Sequence, residues 1–390
     1  MSKVRSIGAW PRREAKHGTR LAWKRRGAQG RERSEKSRKC LRIVEFRLGR
    51  RFGNVERSFP LVPHRMKPAR LSLSCLALAA LLSLPFGAIA TDEASSGREV
   101  NFTGPLVSSG PPLPQGQLVV EPYLIQTQVT GHYDRHGRRH GGDGIADDWR
   151  IAVPILYGVT DRFTIAATLR GIYARTDQAE RRWAAGDTTL LGQYTVFQGQ
   201  GTGKPVVAVG VRQNMPTGRH DQLDRHGLAD ATGSGAASTL LGLYGQAAFG
   251  PDRNLRVRGN LYYRVPGAGV KLRGRSGYGT EGDYHGRAHL GEAWQAVAGV
   301  EYSLNPRWVL AADALYEREQ GARLHSRVDT FDGVVRHDVR GDRSWRLSLA
   351  PAIEYHWSPK LGLVAGALVS VDGRNSAGLF SPQVAINMAF

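Results

Sequence analysis

Phe380-Ser381-Pro382-Gln383-Val384-Ala385-Ile386-Asn387-Met388-Ala389-Phe390 ends the chain. Phe380, Pro382, Val384, Ile386, Met388 and Phe390 are apolar and alternate with small or polar residues. Alternation with a period of two puts one face of a strand in an apolar medium and the other against polar groups. One terminal strand does not decide a fold, since many soluble chains end in one. The decision turns on whether the pattern recurs.

It recurs from Gln117 onward in segments of 10–13 residues, the length a tilted membrane strand needs. Trp149, Ile151, Val153, Ile155 and Tyr157 alternate with Asp148, Arg150, Ala152 and Pro154. Phe163, Ile165, Ala167, Leu169 and Tyr173 oppose Thr164, Thr168 and Arg170. Leu255, Val257, Gly259, Leu261, Tyr263 and Val265 oppose Arg256, Arg258, Asn260, Tyr262 and Arg264. The same reading holds for 308–317 and 345–355, and further strands are expected at 117–130, 187–198, 205–215, 236–249, 290–302, 361–371 and 379–390. The segment 236–249 is the least regular, small and mixed on both faces. The total is twelve, an even number, as single-chain outer-membrane barrels require.

The connections alternate as well. Gly158–Arg162, 199–204, Gly250–Asn254, Ser303–Arg307 and Trp357–Lys360 are short and rich in turn formers. The stretches 131–147, 216–235, 266–289 and 320–342 are long and polar. Aromatic residues such as Trp149, Tyr157, Trp294, Tyr302, Trp308 and Tyr316 sit at strand ends, where a membrane interface selects them. The expectation is an all-β transmembrane antiparallel β-barrel of about 12 strands over 117–390, with short periplasmic turns and long extracellular loops. A soluble sandwich also alternates, but its strands are shorter and its loops are not long at one end only.

The net charge of +20 suggests nucleic acid until it is divided. The first ninety residues carry 22 Lys and Arg against 5 Asp and Glu, so +17 of the charge lies there and +3 in the rest. Met66, Lys67 and Arg70 precede the apolar run Leu71–Phe86 and the small pair Ala88 and Ala90. This is a signal peptide over 66–90, with cleavage expected before Thr91. Residues 1–65 are a basic extension upstream of that complete signal and read as a mis-assigned start. Residues 91–116, with Pro105, Pro111, Pro112 and Pro114, read as an irregular periplasmic or lumenal lead-in. Both cysteines, Cys40 and Cys75, fall before the cleavage site, which excludes disulfides and thiolate chemistry downstream.

The stretch Gly186-Asp187-Thr188-Thr189-Leu190-Leu191-Gly192-Gln193-Tyr194, the strand Pro205–Val211 and the ending Met215-Pro216-Thr217-Gly218 carry a family likeness. The turn Tyr157–Phe163 shares it. Together they resemble the meta-pathway of phenol degradation family, transporter-like outer-membrane proteins of Gram-negative bacteria. The specific motifs cover 157–218; Gln193 stands where a basic residue is usual. The resemblance implies an outer-membrane barrel that passes or binds small hydrophobic molecules. The ending Val384, Ile386, Met388 and Phe390 likewise resembles the assembly signal read by the barrel-assembly machinery.

Charged side chains facing lipid at mid-membrane cost about 2–4 kcal/mol each, so those in strands are expected to face the lumen. The lumen-lining candidates are Arg150, Arg170, Arg212, Arg256, Arg258, Arg264, Asp313, Glu317, Arg346 and Glu354, with Glu301. They act either as a selectivity lining or as a pairing network, with Asp313 and Glu317 as expected partners of the arginines on 255–265. His132, Asp134, His136 and His140 have metal-like spacing, but their glycine-rich surroundings favour a solvated loop. No metal or cofactor is expected. Ser238, Ser348 and Ser370 occupy no nucleophile setting, so an enzyme is not expected. The function read from these residues is an outer-membrane channel for small, hydrophobic or aromatic solutes. The alternative is a structural barrel without transport whose basic loops (Arg135, Arg138, Arg139, Arg323, Arg327, Arg336, Arg340) dock lipopolysaccharide phosphates.

Overall fold

The computed structural model describes residues 101–390, apart from 143–146, 177–178, 181–182, 200, 224–230, 266, 281, 283 and 331–332. The basic extension 1–65, the expected signal peptide 66–90 and residues 91–100 lie outside the described residues.

Twelve antiparallel strands close into a barrel. They are β1 (Tyr123–Tyr133), β2 (Asp147–Thr160), β3 (Phe163–Thr176), β4 (Thr188–Gln198), β5 (Val206–Met215), β6 (Ser238–Phe249), β7 (Leu255–Val265), β8 (Ala293–Ser303), β9 (Trp308–Glu319), β10 (Ser344–Ser358), β11 (Leu361–Arg374) and β12 (Ser376–Ala389). Each pairs with its sequence neighbours. The cylinder closes where β12 pairs with β1, from Tyr123 opposite Ala385 to Tyr133 opposite Ser376. Below this seam the short segment Leu118–Val120 pairs with both β12 and β2. The Phe390 amide donates to the Leu118 carbonyl at 2.8 Å, so the chain's last residue closes the last open edge.

The alternation read from sequence is the alternation of the walls. Ile155, Ile165, Leu169, Leu190, Val211, Leu241, Leu261, Leu310, Ile353 and Ile386 are exposed on the outside. Thr164, Thr189, Gln193, Arg258, Asn260, Glu301, Asp313, Ser348 and Glu354 are buried on the inside. Such an apolar exterior is stable only in lipid. Aromatic pairs ring both ends: Tyr263–Trp294 (centroids 4.5 Å apart) and Tyr316–Trp345 (6.1 Å) at the extracellular end, Trp308–Tyr355 (4.7 Å) at the other.

The long connections do not all follow the expected rule. The β11–β12 connection, after an odd strand, is the single residue Asn375, held at φ 49°. The expected start of the last strand at 379 therefore moves to Ser376, and β11 extends to Arg374. Asparagine tolerates this left-handed conformation, so one residue suffices for the turn. The connections after β7 and β9 are ordered into a separate four-stranded antiparallel sheet, Val270–Arg273, His285–His289, Arg323–Thr330 and Gly333–Arg340. It has its own small core of Val270, Leu272, Ala288 and Ala236, with Tyr278, Tyr284, Leu290 and Leu324 against it.

Candidate functional site

Residues 101–115 do not join a ladder, because four prolines remove required donors. They form an arch inside the barrel instead. Asn101 Nδ2 donates to the Pro306 carbonyl (3.2 Å) in the periplasmic β8–β9 turn. The arch then rises to half the strand height and descends to the β2–β3 turn, where the Gln115 amide donates to Asp161 Oδ1 (3.0 Å).

Each remaining backbone donor in a buried stretch needs an acceptor, and the lumen supplies them from side chains. The Thr103 amide donates to Glu354 Oε2 (2.7 Å), Val107 to Asp313 Oδ2 (2.7 Å), Ser109 to Asn260 Oδ1 (2.8 Å) and Leu113 to Thr164 Oγ1 (2.7 Å). Asn260 Nδ2 returns a bond to the Ser109 carbonyl (3.0 Å), and Gln193 Nε2 donates to the Gly110 carbonyl (2.9 Å). Two glycines give the arch its clearance. Gly104 has φ 121°, and a Cβ there would lie 2.8 Å from Arg258 Nη1. A Cβ on Gly299 would fall on the Ser108 hydroxyl and lie 2.6 Å from Asp313 Oδ1.

Around the arch sits a lower tier of charge. Glu301, fully buried, binds Arg256 through Nε (2.6 Å) and Nη2, and lies 3.2 Å from Arg258 Nε. Arg256 covers the Phe102 ring at 4.1 Å, and Arg258 Nη1 donates to the Ser108 carbonyl (3.3 Å). The expected partners of these arginines are engaged elsewhere: Asp313 holds the arch and Glu317 binds Arg346. The cause is register. Arg256 lies directly opposite Glu301 on the adjacent strand, while Asp313 and Glu317 are two strands away. With Arg256 and Arg258 set against Glu301, Asp313 and Glu354, this tier carries no excess of positive charge.

An upper tier lines the extracellular half. Arg346 Nε and Nη2 donate to Glu317 (3.0 and 2.5 Å), Arg264 pairs with Glu319, and Arg150 pairs with Asp148 (2.5 Å). Arg170 donates to Thr189 Oγ1 (2.5 Å) and to the Asp187 carbonyl (3.0 Å). Arg212 covers the Tyr262 ring at 5.1 Å. Arg170 and Arg212 have no carboxylate within ion-pair distance among the described residues.

Between the tiers lies a collar that the charge pattern did not reveal. Ala208, Tyr244, Tyr262, Val297 and Leu315 cluster on the inner face, with Leu240, Leu368 and the arch residue Val107 against them. Tyr244 and Tyr262 meet edge to face at 5.5 Å. The irregular pattern of 236–249 is the trace of this collar: Leu241 and Leu243 face outward while Leu240 and Tyr244 face inward, so both faces are apolar.

The motif residues converge at the extracellular mouth. The Asp187 carboxylate accepts the Gly218 amide (3.0 Å), the Ser234 amide and hydroxyl (both 2.8 Å) and Asn214 Nδ2 (3.1 Å). Thr217 Oγ1 donates to the Gly186 carbonyl at 2.8 Å. Burial raises the Asp187 pKa, but these donors outweigh it and hold the carboxyl below its ordinary value. The separate histidine loop is a turn built on Asp134, which accepts from the His136 and Arg138 amides (2.7 and 2.9 Å) and lies 3.0 Å from His140 Nε2.

No protein-family model matches the chain, and no curated protein matches it by sequence. Among solved structures, an outer-membrane channel from Pseudomonas putida F1 superposes with a TM-score of 0.53 at 15% identity, over 71% of this chain and 97% of that one. The NanC porin has a TM-score of 0.37 at 12% identity, over 70% and 98%. The toluene transporter TbuX of Ralstonia pickettii has 0.36 at 9%, over 71% and 90%. The first of these carries the conclusion on fold: the chain has the architecture of an outer-membrane β-barrel.

Proposed function

We infer that the protein is an outer-membrane channel for small hydrophobic or aromatic solutes, of the phenol-degradation type its motifs resemble, and that the amino-terminal arch closes it at rest. The observation that carries this reading is the apolar collar of Tyr244, Tyr262, Val297 and Leu315 on the inner wall. The cluster spans the inner face of β5–β9, and an apolar solute gains by leaving water against such a surface. The Tyr262 hydroxyl donates to Ser109 of the arch (3.3 Å), so the collar joins apolar surface to a hydrogen-bonding group. The similar Pseudomonas putida protein is an outer-membrane channel, which agrees with a transport role.

The arch suits a reversible closure. The Thr103, Val107, Ser109 and Leu113 amides each rest on one side-chain oxygen. A few single hydrogen bonds, with no ladder, hold the arch, as a movable element requires. Uptake of benzoate and of arabinose into proteoliposomes tests the reading. Faster benzoate entry, slowed by Tyr244→Arg in the collar, is the expected result. Equal entry of both solutes, or entry of neither when the arch is deleted, overturns it; the latter result leaves a structural barrel.

A further inference from the structure

The four-stranded extracellular sheet has one apolar face, buried on its first two strands and open at Val339 on the last, and one charged face. Val270, Leu272 and Ala288 are buried against Ala236, Tyr278 and Tyr284. The alternate residues Lys271, Arg273, His285, Arg287, Arg323, His325, Asp338 and Arg340 are all exposed. Register aligns them in rows across the sheet. Lys271 stands opposite Arg287, Arg287 opposite His325 and His325 opposite Asp338. Arg273 stands opposite His285, and Arg323 stands between His289 and Arg340.

Like charges placed directly across a sheet are destabilising, and a merely solvated surface intersperses both signs. This face does neither. Lys271, Arg273, Arg287 and Arg323 have no carboxylate partner among the described residues, and Asp338 is occupied by His325 Nδ1 at 2.6 Å. The face is also concave. A depression of about 570 Å³ is lined by Lys271, Arg273, His285, Arg287 and His325, with one carboxylate, Asp338, and with Gly286 in its floor. A side chain on Gly286 would collide with the His325 carbonyl.

Its height on the barrel narrows the ligand. His289, Arg323 and Arg340 each lie four residues beyond the barrel strands that end at Ala293, Glu319 and Ser344. At roughly 3.3 Å per residue that is within about 13 Å of the rim, the level of the outer leaflet's headgroups. We propose that this concave basic face binds the phosphates of lipopolysaccharide in the outer leaflet. Arginine and lysine side chains supply charge-assisted bonds to phosphate oxygens, and the neighbouring glycolipid supplies several phosphates at once. The proposal rests on the barrel's place in the outer membrane and is independent of what the lumen carries.

The test titrates the full chain, purified in detergent, with lipopolysaccharide, with dephosphorylated lipopolysaccharide and with inorganic phosphate, read by calorimetry at low and high salt. Removing three cations in Lys271→Ser/Arg287→Ser/Arg323→Ser is expected to weaken lipopolysaccharide binding about a hundredfold, on the order of fivefold per cation. Dephosphorylated glycolipid is expected to bind as weakly to the parent protein, and added salt to weaken the parent complex. The exposed positions leave the fold intact, checked by heat-modifiable mobility on gels. Unchanged affinity in the triple variant overturns the proposal. So does a loss of the same size in Arg135→Ser/Arg138→Ser on the β1–β2 loop, or inorganic phosphate binding as tightly as the glycolipid.

Discussion

Replacing both carboxylates that hold the arch, in Asp313→Ala/Glu354→Ala, should open the channel without unfolding the barrel. Asp313 Oδ2 and Glu354 Oε2 accept the Val107 and Thr103 amides, each at 2.7 Å. A hydrogen bond to a charged group contributes about 1.5–3 kcal/mol, so the pair contributes about 3–6 kcal/mol to docking. At about 1.4 kcal/mol per tenfold, the docked-to-released ratio should fall by about a hundredfold to ten-thousandfold. The backbones of β9 and β10 remain paired with each other and with β8 and β11, which preserves the wall. The readout is the open fraction of single molecules in planar bilayers. Glu317→Ala is the control, since its carboxylate binds Arg346 and Gln295 and not the arch. An unchanged open fraction in the double variant, or an equal rise in the control, would refute the closure.

Glu301→Ala leaves Arg256 and Arg258 inside the wall without their counter-charge and should cost about 3–5 kcal/mol, measured by urea unfolding in detergent; a loss under 1 kcal/mol would remove Glu301 from the stabilising network. The Asp187 cluster should be pH-dependent. Its carboxyl is depressed in the fold, so its contribution is present above the ordinary aspartate value of about 3.9 and is lost as pH falls through the lower folded value. Hydrogen exchange at the Ser234 amide should therefore accelerate, relative to the unfolded chain, as acid protonates the carboxyl, and the same protection in Asp187→Asn as in the parent would contradict this. Phe390 is 65% exposed and its backbone is paired with Leu118. Its deletion should reduce insertion in cells while sparing refolding in detergent, whereas equal losses in both would make it a packing residue.

Alternation made the walls legible because lipid imposes a penalty on every misplaced charge, so Arg256, Arg258, Asp313 and Glu354 could face only inward. The partners of those charges were not legible to the same degree. Pairing depends on register, and register set Glu301, not Asp313, beside the arginines. The arch left a weaker trace. Prolines marked 91–116 as irregular, but the acceptors that seat the arch include Asn260 and Thr164, which look like any polar residue on an inner face. The collar is apolar on a face where apolar residues are not expected, so it registered only as disorder in the pattern of β6. The β11–β12 turn escaped for a simpler reason: one asparagine in the left-handed region does the work of a loop.

The central claim is that residues 101–115 occupy the lumen and must move before solute passes. The most direct measurement tethers the arch. Cys40 and Cys75, the only native cysteines, precede the expected cleavage site, so Ser109→Cys/Asn260→Cys introduces one pair at positions joined by two hydrogen bonds. Solute uptake is then measured in proteoliposomes before and after reduction, with disulfide formation followed by gel mobility. The account predicts no uptake in the oxidised protein and recovery on reduction. Equal uptake in both states contradicts it.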